Sequence, residues 1–328
     1  MSRAPIAVLC DGLQDHPAVQ AWASMWAAQE LPQRVEVLRR LASSEVYRLI
    51  GAGPAGHSVI AKRAPQAKSA IELLVYERLL PHLPVTTPRY YGSRPTDGPD
   101  GDRWIFLEDV GTERYSEANA VHLKMVARWV ERMHHAAADL DAVRELPDGG
   151  PQRYLAHLRS AREKIQRRLP GPDLTADDVT MLRGVVDVLD GLEARWSLID
   201  GMCEGLPATL VHGDFRPKNV YLRSNGGGVS CYPIDWETAG WGVPAADLTR
   251  IDVATYWACA RDSRPAPDFE TVQRLVWLGR AFCAVAGIDW DSASLRFDTR
   301  RMFSRELASI AVLARRLADA ARAVGVEP

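Results

Sequence analysis

Three polar side chains near the middle of the chain have the types and spacing for one kind of chemistry. "HGDFRPKN" spans residues 212–219 and carries Asp214 and Asn219. Asp235 follows in "YPIDWE", at the end of an apolar run. The "SNGGG" stretch between these two β-like runs predicts a turn that folds Asn219 alongside Asp235. A carboxylate and an amide oxygen held together are hard ligands, suited to magnesium carried by nucleotide phosphates. Asp214, just upstream, is then placed to accept the proton of an attacking hydroxyl. A base aspartate, an asparagine and a metal-binding aspartate are the parts that phosphoryl transfer requires. Taken singly, each could be an Asx side chain capping a turn. The rest of the chain decides against that reading, because it supplies the remaining parts.

Those parts lie in the first third. "SVIAKR" places Lys62 at the end of a β-like run, and Glu72 lies ten residues on in "SAIELLVYERLL". A strand lysine paired with a glutamate on the following helix is what holds nucleotide phosphates in kinases. Glu77 is the alternative partner, but five positions of helix turn it in a different direction from Glu72.

The elements that must position these residues read as a strand-rich front and a helix-rich back. Residues 16–29 predict a helix with Trp22, Met25 and Trp26 on a packing face. Strands follow at 35–41, 45–50 and 58–63, where Val, Ile and Tyr recur between turn residues. Residues 69–80 predict a helix with Ser69 as N-cap, broken by Pro81, Pro84 and Pro88. A further apolar strand covers 103–110. From residue 116 helices dominate, at 116–140, 153–169, 175–199, 269–287 and 305–324. A short β segment interrupts them at 208–214, 219–223 and 229–237.

With these pieces in place the chain resembles the aminoglycoside phosphotransferase and choline kinase family. The resemblance spans residues 35–255 and rests on "VHGDFRPKN", "IDWE", "VIAK" with "IELLVYERLL", the hinge-like "IFLEDVG" and "WGVPAADL". It implies an α+β, bilobal, protein-kinase-like fold with a small β-rich N-lobe and a larger helical C-lobe. The N-lobe, with the first helix, the nucleotide-binding sheet and the hinge, would be residues 1–110. The C-lobe, with catalytic loop, metal site and acceptor pocket, would be 111–328. By resemblance Asp214 is the catalytic base, Asn219 and Asp235 the Mg2+ ligands, and Lys62 the ATP phosphate ligand positioned by Glu72. The backbone from Glu108 to Val110 would meet the adenine edge. His212 would be structural, and Asp247 would brace the catalytic loop.

"GAGPAG" at residues 51–56 matches a dinucleotide fingerprint, but a strand rather than a helix follows it. It is read as the turn between two strands. The phosphate-covering loop is then "LASSEV", with Ser43 and Ser44 at its tip, a loop without the glycine often found there.

Composition narrows the function classes. The net charge of −2 gives no nucleic-acid footprint. The five scattered cysteines lack zinc or disulfide spacing. No apolar stretch is long enough to cross a bilayer and no signal peptide is visible, so a cytoplasmic protein is expected. Lysine occurs at only five positions, Lys62, Lys68, Lys124, Lys164 and Lys218, which makes each of them stand out; Arg216 and Lys218 could touch a phosphate or be loop surface. The expected activity is ATP-dependent phosphorylation of a small-molecule hydroxyl, with neither nucleic acid nor membrane as partner and oligomeric state open. The acceptor is read as an antibiotic, or else a sugar or amino-alcohol metabolite. The region after residue 245 shows no acidic cluster, which leans away from polycationic aminoglycosides. Trp241, Tyr256 and Trp257, which follow the metal motif where an acceptor pocket would be, are candidate stacking residues. A nucleotide-binding pseudokinase or scaffold is the alternative of another class.

Overall fold

The computed structural model describes residues 5–25, 31–41, 44–96, 101–169, 171, 173–226, 228–261, 266–296 and 300–327. The chain forms two compact units, neither of them continuous in sequence. Residues 1–125 with 215–239 make the first, and residues 126–214 with 240–328 the second.

The first unit is built on a six-stranded antiparallel sheet. Its strands are β1 (Ala7–Leu9), β2 (Arg34–Leu41), β3 (Ser44–Ile50), β4 (Val59–Ala64), β5 (Tyr90–Pro95) and β6 (Arg103–Glu108). Their spatial order is β1-β2-β3-β4-β6-β5. Alternation along the strands puts Val35, Val37, Tyr47, Leu49, Val59, Ala61 and Phe106 on one face, where they pack against helix α1 (Pro17–Ala23). Trp22 of α1 is almost wholly buried in that layer, and its Nε1 donates to the Ala52 carbonyl at 3.0 Å.

The predicted helix over 16–29 is shorter than expected: His16 caps it, its Nδ1 accepting from Ala18 N–H, and it ends at Ala23. Trp26 lies outside the described residues. The strands at 35–41, 45–50 and 58–63 form within a residue of their predicted ends. "GAGPAG" is the turn between β3 and β4, with Gly51 and Gly56 at φ 77° and 74°. β1 and β5 were not expected: one is three residues long, and the other contains Gly92 and Pro95, both poor strand residues.

Helix α2 (Gln66–Leu74) continues as a π-helical turn over Val75–Leu79 and a 3-10 turn over Leu80–His82. Ser69 is therefore not its N-cap. Pro65 begins the helix, and Ser69 is buried in the first turns, its hydroxyl donating to the Gln66 carbonyl. The first unit also holds the hairpin of β8 (Val220–Asn225) and β9 (Gly228–Pro233).

The second unit is helical: the end of α3 (Ala120–Ala137), then α4 (Pro151–Arg168), α5 (Ala176–Ala194), α6 (Trp196–Cys203), α7 (Val253–Ala260), α8 (Phe269–Ser292) and α9 (Arg300–Ala323). A short antiparallel pair, β7 (Thr209–Val211) with β10 (Gly240–Gly242), crosses it. The long helix α8 is buried along most of its length. Tyr154 of α4 stacks on Phe282 of α8 with ring centroids 4.2 Å apart. Gly279 permits α8 to lie against the 244–250 turn, since a Cβ there would fall 1.9 Å from the Ala245 carbonyl oxygen. The single helix expected over 175–199 is two helices. Arg195 leaves helical geometry at φ −113°, ψ 14°, and α6 then buries Trp196, Ile199 and Cys203 on its own face.

Candidate active site

In the first unit, β4 delivers Lys62 to the sheet face opposite α1. Its cross-strand neighbours are Val46 on β3 and Ile105 on β6. The ammonium is buried and donates to Glu72 Oε2 at 2.8 Å and to Asp235 Oδ1 at 2.5 Å. Glu72 is only 1% exposed. Glu77 does not share in this pair; its carboxylate accepts from the Tyr90 hydroxyl. The β8–β9 register, from Asn225 opposite Gly228 to Val220 opposite Pro233, brings Asn219 and Asp235 to one end. Val220 pairs with Pro233, and Ile234 N–H donates to the Asn219 carbonyl at 2.9 Å. Asp235 itself takes a left-handed conformation, φ 68°, one that aspartate tolerates better than most residues. That residue turns the chain from β9 into the 236–238 turn beside α2 and directs its carboxylate to Lys62.

Charge dominates this cluster. Burial alone would push the Lys62 pKa down, but the Glu72 and Asp235 carboxylates outweigh it and raise it. Burial likewise opposes ionisation of Asp235, yet Lys62, with Arg39 and Lys218 contributing, holds its carboxyl at about 2. Complete burial lifts the Glu72 carboxyl, so Asp235 carries the firmer charge of the two acids.

Glu108 ends β6. One carboxylate oxygen pairs with Arg223 of β8 and the other accepts from Arg89 N–H. This ties the hairpin to the start of the 108–111 segment. Val110 is buried, and its main-chain groups have no hydrogen-bond partner among the described residues. Ser44 begins β3, is 8% exposed, and accepts from Arg39 Nη2 at 2.6 Å. Ser43 lies outside the described residues.

In the second unit, Asp214 closes the segment after β7. The two residues before it are clamped by the fully buried Asp247: Oδ2 accepts from His212 N–H at 2.7 Å, and Oδ1 from Gly213 N–H at 2.9 Å. Gly213 sits at φ 78° and supplies the bend. His212 Nδ1 accepts from Asp214 N–H at 3.3 Å. Behind Asp247 stands His134 of α3, its Nε2 3.3 Å from Asp247 Oδ2 and its Nδ1 3.1 Å from the Tyr256 hydroxyl. Tyr256 is thus part of the packed interior. Trp257 donates to the Pro267 carbonyl and packs edge-on to Phe269. Of the three aromatic candidates, Trp241 alone stays half exposed without such anchoring, with Arg144 over its ring at 5.8 Å.

Two residues with a bearing on the site were missed in the sequence: Arg39, whose charge reaches Asp235, and His134, the second brace on Asp247. Arg39 stands in an ordinary "RR" pair that gives no signal. His134 ends a helix without a metal-spaced partner in the sequence, and only the fold brings it to Asp247.

Among the described residues no group of three or more His, Cys, Asp or Glu side chains is placed to hold a metal ion. Asn219 and Asp235 instead offer one amide and one ionised carboxylate, the donor set magnesium accepts when phosphate and water complete its shell. No helix among the described residues is long and apolar enough to cross a membrane.

The α+β, protein-kinase-like architecture recurs in solved structures of low sequence identity. A mutant of aminoglycoside 2'-phosphotransferase-IIIa in complex with GDP is 16% identical, covers 92% of this chain and 96% of its own, and superposes with a TM-score of 0.62. The microcompartment-associated aminopropanol kinase is 15% identical over 92% and 94% of the two chains, TM-score 0.60. Macrolide 2'-phosphotransferase MphH from Brachybacterium faecium is 14% identical over 89% and 97%, TM-score 0.57. No curated protein matches the sequence. The pattern of the phosphotransferase enzyme family matches residues 34–283, most of the chain, and the protein belongs to that family.

Proposed function

We propose that this phosphotransferase moves the γ-phosphate of ATP to a hydroxyl of a small molecule, with Asp214 as the base. The observation that carries the reading is the buried Lys62 ammonium held between Glu72 and Asp235, with Asn219 at the same end of the hairpin. Lys62 holds the nucleotide phosphates and Glu72 positions it. Asn219 and Asp235 hold Mg2+, which supplies charge neutralisation on the phosphate oxygens. The main chain from Glu108 to Val110 meets the adenine edge, with the Val110 groups that have no hydrogen-bond partner among the described residues. Ser43 and Ser44 belong to the loop over the phosphates. Asp214 accepts the hydroxyl proton as the acceptor oxygen attacks in line. Asp247 and His134 keep the backbone before Asp214 fixed, so that its carboxylate needs no reorganisation at the moment of transfer.

In this account residues 1–110 supply the nucleotide side, and residues 111–328 the catalytic loop, metal site and acceptor pocket. The protein works in the cytoplasm on a free small molecule. Solved proteins of the same fold are named for aminoglycosides, a macrolide and aminopropanol. They support a resistance-type antibiotic kinase and a metabolic amino-alcohol or sugar kinase as acceptor classes, and we favour an antibiotic less cationic than an aminoglycoside. A nucleotide-binding pseudokinase is disfavoured because Asp214, Asn219, Asp235 and Lys62 are all present.

The test is ADP release from Mg-ATP with a panel of aminoglycosides, macrolides, nucleoside antibiotics, choline, amino alcohols and sugars. Turnover with one class, lost in Asp214→Asn, supports the reading and names the acceptor. Nucleotide binding without turnover on any acceptor favours the pseudokinase.

A further inference from the structure

A bulge in β2 turns Arg39 onto the sheet face that carries Lys62. Along the regular part of β2, Val35 and Val37 face the α1 layer together with Tyr47 and Leu49. Side chains alternate along a strand, so residue 39 would follow residues 35 and 37 onto that buried apolar face. The register slips at Leu38 instead. Val37 pairs with Tyr47, but Arg39 pairs with Val46. Val46 in turn pairs with Lys62. Arg39, Val46 and Lys62 therefore form one cross-strand row on one face, with the two cationic residues two strands, about 10 Å, apart. Re-aiming a side chain beside a site is a recurrent use of an inserted strand residue.

The guanidinium is held and yet incompletely satisfied. Nη2 donates to Ser44 Oγ at 2.6 Å, which fixes the side chain across the β2–β3 turn. Nε is buried and has no hydrogen-bond partner among the described residues. A buried donor in that state is costly unless a ligand brings an acceptor. The sequence between the ends of β2 and β3, "LASSE" at residues 41–45, contains no glycine. Close approach of a bare backbone to a phosphate is therefore not built in there. A planar guanidinium is the alternative device, because its paired N–H groups match two phosphate oxygens.

We propose that Arg39 is a phosphate-binding residue, taking the terminal phosphate of the nucleoside triphosphate whose inner phosphates Lys62 holds. Ser44 acts as a positioning residue that keeps the guanidinium on this face. The inference rests on the kinase reading above and adds to it a phosphate contact from Arg39 of β2 where the sequence at 41–45 has no glycine.

Calorimetric titration with Mg-ATP, Mg-ADP and adenosine tests it on the wild type, Arg39→Ala, Arg39→Lys and Ser44→Ala. Arg39→Ala is expected to lose at least tenfold in ATP affinity, less in ADP affinity and nothing in adenosine affinity. Arg39→Lys restores part of the loss, since a point charge lacks the fork, and Ser44→Ala gives a smaller loss of the same pattern. An ATP-to-adenosine affinity ratio unchanged in Arg39→Ala overturns the proposal, as does an equal loss for all three ligands. Should Arg39→Ala fail to fold by circular dichroism, the same ratio in Arg39→Lys decides, and a wild-type value there overturns the proposal. Absence of ATP binding by the wild-type protein overturns the kinase reading itself, an outcome distinct from an unchanged ratio.

Discussion

The sheet face around Lys62 and the loop before Asp214 are held by opposite means. On the sheet face two carboxylates converge on one buried ammonium. At the loop, a single buried carboxylate takes two backbone N–H groups, with an imidazole behind it. On the kinase reading proposed above, the first arrangement would be an exchange site, since a cation bridging two acids can yield one of them to a ligand that brings its own cation. The second has no partner to give up, because a carboxylate that lost backbone donors would leave them orphaned. On that reading the first region would rearrange when a ligand binds, while the second stays fixed.

Mutations sharpen this contrast. The largest effect is expected on activity: Asp214→Asn should lower turnover by about 10²–10⁴-fold, the worth of a general base, while the melting temperature stays near wild type. Steady-state ADP release beside a thermal melt separates the two. Lys62→Met should destabilise the fold by roughly 3–5 kcal/mol, because it leaves the buried Glu72 and the partly buried Asp235 facing each other without a cation. Adding Glu72→Leu should recover much of that loss in urea unfolding, whereas the contrast collapses if the double variant is no more stable than the single. Asp247→Ala should cost about 2–5 kcal/mol through the two orphaned N–H groups, and no second substitution at His134 should restore it.

The smallest effect is on acid stability. The folded Asp235 carboxyl is held at about 2, below its ordinary 3.8. A depressed carboxylate contributes stability that is present above the unfolded value and is lost as pH falls through the folded one. Wild type should therefore lose more stability between about pH 4 and pH 2 than Asp235→Asn does. Equal acid sensitivity in the two would count against a charged Asp235.

Much of this geometry was legible because it depends on local rules. The "SNGGG" sequence predicts a tight hairpin, and the register does place Asn219 and Asp235 at one end. The pairing of Lys62 with Glu72, rather than Glu77, follows from helical direction over the first turns of α2. What was not legible depends on tertiary packing. The π-helical turn at 75–79 and the break at Arg195 carry no glycine and no proline, so nothing in their composition marks them. The slip at Leu38 is invisible in "RVEVLRRL", yet it decides which face Arg39 occupies. His134 meets Asp247 across 113 residues of chain, a contact that no local pattern contains.

The most direct test of the central claim is calorimetric binding of ATP, with and without magnesium, to the wild type and to Asp235→Asn. The account predicts that wild type binds Mg-ATP, and that the variant loses at least tenfold in affinity with magnesium present but little without it. Equal loss in both conditions, or no binding by the wild type, would contradict the assignment of this cluster as the metal–nucleotide site.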